Sequence, residues 1–133
     1  RDGEHGFQFA ASHATDPDVK ALFTTLADER GRFAESLLPH VHRLGGQANT
    51  AGSNAGAIHR GWMNLKGTVT GYQDQVLLAE AERGEGVATR AYKEALTGML
   101  PPTVSDLIAQ QYAGICDAHA RITALAKARA VIV

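Results

Sequence analysis

Apolar positions recur along this chain at alternating spacings of three and four residues, the signature of helices with one buried stripe. The plainest case lies between Leu77 and Met99, where Leu78, Ala81, Glu85, Ala88, Tyr92, Ala95 and Met99 share one face. Every member is apolar or aromatic except Glu85, and Glu82 flanks the same face one turn earlier. A second seam, Phe23, Leu26, Arg30, Phe33, Leu37, His40 and Leu44, carries one odd member of opposite charge, Arg30. A third, Val104, Ile108, Gln111, Ile115, Ala118, Ile122 and Leu125, has Tyr112 and His119 on its flank.

Punctuation between the seams sets the predicted elements. Residues 1–14 read as the end of a helix with Glu4, Phe7, Ala11 and Ala14 on one face. Gly3 and Gly6 weaken it, and no capping residue precedes it, so the pattern predicts a helix that begins before Arg1. Asp16 is an N-cap candidate and Pro17 suits the first helical position of the next helix, 17–44. Pro39 falls inside that helix and predicts a kink near its end, and Gly45-Gly46 stops it. Residues 45–52 read as a loop and Ser53 to Lys66 as a shorter helix docked through Trp62. The long third helix covers 72–98, Pro101-Pro102 ends the turn after it, and the last helix runs from Thr103 to about Arg129. No stretch reads as a strand. The expected fold is all-α: a single domain over 1–133, a ferritin-like four-helix bundle whose long crossover carries an extra short helix.

Composition narrows the function classes. At 133 residues with 44% hydrophobic and 20% charged residues, the chain can build one real core. Net charge is −1 with no basic stripe, so no nucleic-acid partner is expected. No apolar run reaches membrane-spanning length. The single Cys116 excludes an intrachain disulfide and fits a reducing compartment, so a cytoplasmic location is expected. GSNAG lacks the following Gly-Lys-Ser/Thr of a phosphate loop, and CxxC and HExxH are absent. His40 and His42, two apart on a helix, face different ways, and His59 reads as a structural residue.

A carboxylate in a bundle seam must be paired, protonated or bound to a cation. Two readings of Glu85 follow. In one, Arg30 is its internal ion-pair partner, since a guanidinium is always charged and can take a carboxylate bidentately. In the other, Glu82, Glu85 and His119, with Glu4 as a further candidate, ligate a metal.

The segments DGEHGFQFAA, LADERGRFA, AGAIHRGWMNLKG, AERGEGVATRAYKEAL, LPPTVSDLIAQQYAG and CDAHARI together resemble a family of uncharacterised bacterial four-helix proteins. That family is placed in the ferritin-like superfamily, near rubrerythrin and bacterioferritin. The resemblance spans nearly the whole chain and implies the fold, with no activity attached. Di-iron members of the wider superfamily carry Glu on the first helix, Glu-x-x-His on the second, Glu on the third, and Glu with a nearby His on the fourth. Mapped onto this chain, Glu82 and Glu85 match on the third helix and His119 on the fourth. Ile115 or Cys116 stands at the fourth helix's carboxylate position, and Arg30 and Phe33 stand where the second helix needs Glu and His. Glu4 is the candidate on the first. A cation at a ligand position argues against the metal, so the resemblance implies a degenerate di-iron site in a non-enzymatic bundle acting through its surface or oligomer, with no cofactor. The alternative is a rubrerythrin-like protein of iron binding or oxidative stress, holding iron or another divalent metal. A homodimer is expected by analogy with ferritin-like bundles.

Overall fold

The structure, a computed structural model, describes residues 2–43 and 74–130. They form four α-helices: α1 (Asp2–His13), α2 (Pro17–Arg43), α3 (Asp74–Leu96) and α4 (Pro102–Ala130). No strand occurs among the described residues. The short helix expected at 53–66, with Trp62 and His59, lies outside them, as do Leu44 and the side chain of His42.

Local chemistry sets the helix ends. Asp16 caps α2: its carboxylate accepts from the Asp18 N–H at 2.9 Å, and its carbonyl accepts the first helical bond from Lys20. Pro17 then stands at the first helical position, where its missing N–H is no loss. The helix runs on through Pro39 to Arg43. At the far end of α3 the bonds tighten to the three-residue type, Thr97 to Glu94 and Gly98 to Ala95, and the helix stops at Leu96. Met99 therefore falls beyond the helix and is fully exposed, not part of the α3 seam.

α1 packs chiefly on α2, and α3 on α4, giving two antiparallel hairpins. The hairpins meet through α2 against α4 and α1 against α3. Phe7, Ala10, Val19, Phe23, Leu26, Leu77, Leu78, Ala81, Ala118 and Ile122 fill the core between them. On α1 the buried face centres on Phe7, Ala10 and Ala14, one position off the expected Ala11. Phe7 and Phe23 stack with ring centroids 6.0 Å apart.

The direction of each helix follows from the polar contacts at one end of the bundle. Asp74, at the start of α3, accepts from the N–H groups of Thr15 and Asp16 at 2.9 and 2.6 Å. Arg129, at the end of α4, donates to Asp16 and Asp18 at the start of α2. α2 and α3 thus begin at the same end and run parallel. A helix of 27 residues is roughly 40 Å long, so Arg43 and Asp74 lie at opposite ends of the bundle.

Candidate functional site

Among the described residues, three polar ones interrupt the core: Arg30 on α2, Glu85 on α3 and Gln111 on α4, at 8%, 2% and 2% exposure. Each occupies a seam position of its own helix, so the helical repeat itself turns it inward. The Arg30 guanidinium donates to Glu85 through Nη2 and Oε2, joining α2 to α3 across the core. The guanidinium also lies over the Phe7 ring, 5.4 Å from its centroid.

Small residues make room for this arrangement. A Cβ on Gly3 would lie 3.1 Å from Arg30 Nη1, and a Cβ on Gly31 would lie 2.8 Å from Glu4 Oε2. Gly3, which the sequence presents as a weak point of α1, is what lets the guanidinium approach that helix. The Glu4 carboxylate thereby sits against α2 beside Arg30. Gly114 admits Glu29 and Phe33 in the same way: its Cβ would lie 2.9 Å from the tip of the Phe33 ring and 3.3 Å from Glu29 Oε1.

Gln111 closes a second cross-helix link. The Tyr92 hydroxyl donates to Gln111 Oε1 at 2.6 Å, and Gln111 Nε2 donates to the Phe33 carbonyl at 3.2 Å. The two links together tie α2, α3 and α4 at mid-height. Two atoms of this layer are enclosed without a hydrogen-bond partner, Arg30 Nε and Glu29 Oε1. Glu29 as a whole is half-buried.

Burial raises the Glu85 carboxyl above its ordinary value of 4.5. The charge and hydrogen bond of Arg30 and the nearby His119 oppose this without overcoming it, and Glu29 adds to the rise. Charge-assisted contact with an always-charged guanidinium favours the carboxylate form, while burial sets the pH at which that form is reached. The Tyr92 phenol is also raised, first by burial, with Glu85 adding to the effect and Arg30 opposing it.

Of the sequence-derived candidates, the structure brings Arg30 and Glu85 into contact, with Glu4 beside Arg30 and His119 within electrostatic reach of Glu85. Glu82 is half-buried one turn before Glu85. Among the described residues, no group of three or more His, Cys, Asp or Glu side chains is placed to hold a metal ion. Cys116 is half-buried and free. Sequence reading passed over Asp74 and Arg129, which fasten the other end of the bundle.

Residues 1–98 match the model of a family described as a domain of unknown function (DUF2383). The chain belongs to that family. The matched stretch holds both Arg30 and Glu85, whereas α4, with Gln111, His119 and Arg129, follows it. No curated protein and no solved structure matches this DUF2383 chain. No helix among the described residues is long and apolar enough to cross a membrane.

Proposed function

We propose that this DUF2383 chain is a ferritin-like bundle with a degenerate di-iron site, in which Arg30 stands in for the cation beside Glu85. On this reading it is not an enzyme and needs no cofactor. It acts in the cytoplasm through its surface and as a homodimer, without nucleic acid or membrane. The observation that carries the reading is the Arg30–Glu85 ion pair, buried at the centre of the bundle. A guanidinium at that point supplies the positive charge a metal would otherwise bring, and repels a second cation. The parallel run of α2 and α3 supports the ferritin-like topology, because it requires a long crossover between the hairpins.

A second reading, a rubrerythrin-like di-metal protein built on Glu82, Glu85 and His119, draws support from two features. His119 lies near enough to lower Glu85, and Glu29 Oε1 is enclosed with no donor. Anaerobic addition of ferrous iron, followed by metal analysis and oxygen uptake on exposure to air, separates the two. The ion-pair reading expects neither stoichiometric iron nor accelerated oxygen consumption. Two irons per chain with fast oxidation would establish the second reading instead.

A further inference from the structure

We draw no further inference here: the strongest candidate, the shallow apolar groove between α2 and α4 floored by Leu22, Ala124, Leu125 and Ala128, carries nothing because nothing in the structure shows what covers it.

Discussion

Glu85 decides most at the residue scale. Its carboxyl is held above 4.5 in the folded chain, chiefly by burial. Between the unfolded value and the raised folded value the native state binds the proton that the unfolded state has lost. Stability from this group therefore falls as pH rises through that window and is flat above it. Glu85→Gln removes the titration, so the wild type should gain stability relative to this variant on acidification through the window. Urea unfolding of both proteins across mildly acidic pH checks the sign; a wild type that loses ground to Glu85→Gln on acidification would contradict it. Asp16 works the other way. Its hydrogen bond from Arg129 holds the carboxyl below its ordinary value, so its contribution is present above 3.8 and is lost as pH falls further.

At the scale of helices, glycines act in opposite senses. An added Cβ on Gly86 meets nothing within 4 Å, so Gly86→Ala should stabilise α3 by about 0.5–1 kcal/mol through backbone entropy alone. Gly114→Ala brings the same gain but drives a methyl group into the Phe33 ring, and overpacking of this kind costs about 1–3 kcal/mol. Thermal or urea unfolding should place Gly86→Ala above the wild type and Gly114→Ala below it. Both glycines look alike in the sequence. Their difference depends on which neighbour the fold brings near, which helix propensity does not encode.

The same distinction governs what the chain revealed in advance. Arg30, Glu85 and Gln111 were legible as interior polar residues, because a strict three-and-four repeat fixes the inward face of a helix whatever side chain occupies it. The Asp16 cap and Pro17 start were legible because capping is settled within one turn. Met99 kept the period of the α3 seam, yet the turn through Thr97 and Gly98 ends the helix before it. Asp74 and Arg129 could not be read as fasteners, since their partners at Thr15, Asp16 and Asp18 are far away in sequence and meet them only once the helix directions are set.

At the scale of the whole bundle, the polar links between the two hairpins among the described residues include Asp74 and Arg129 at one end and Gln111 and the Arg30–Glu85 pair at mid-height. The buried pair is the costly one to break, because loss of either partner leaves an uncompensated charge in the core. That Arg30, and not a metal ion, balances Glu85 is tested most directly by equilibrium unfolding with and without ferrous iron under anaerobic conditions. The proteins compared are the wild type, Arg30→Met, Glu85→Leu and the double variant. Each single substitution should cost about 3–5 kcal/mol, the double should recover much of that loss, and iron should shift none of the four. A metal that bound the folded chain would stabilise it by about 2.7 kcal/mol at a hundredfold excess over its dissociation constant. Such a rise in the wild type, kept in Arg30→Met and lost in Glu85→Leu, would contradict the ion-pair account.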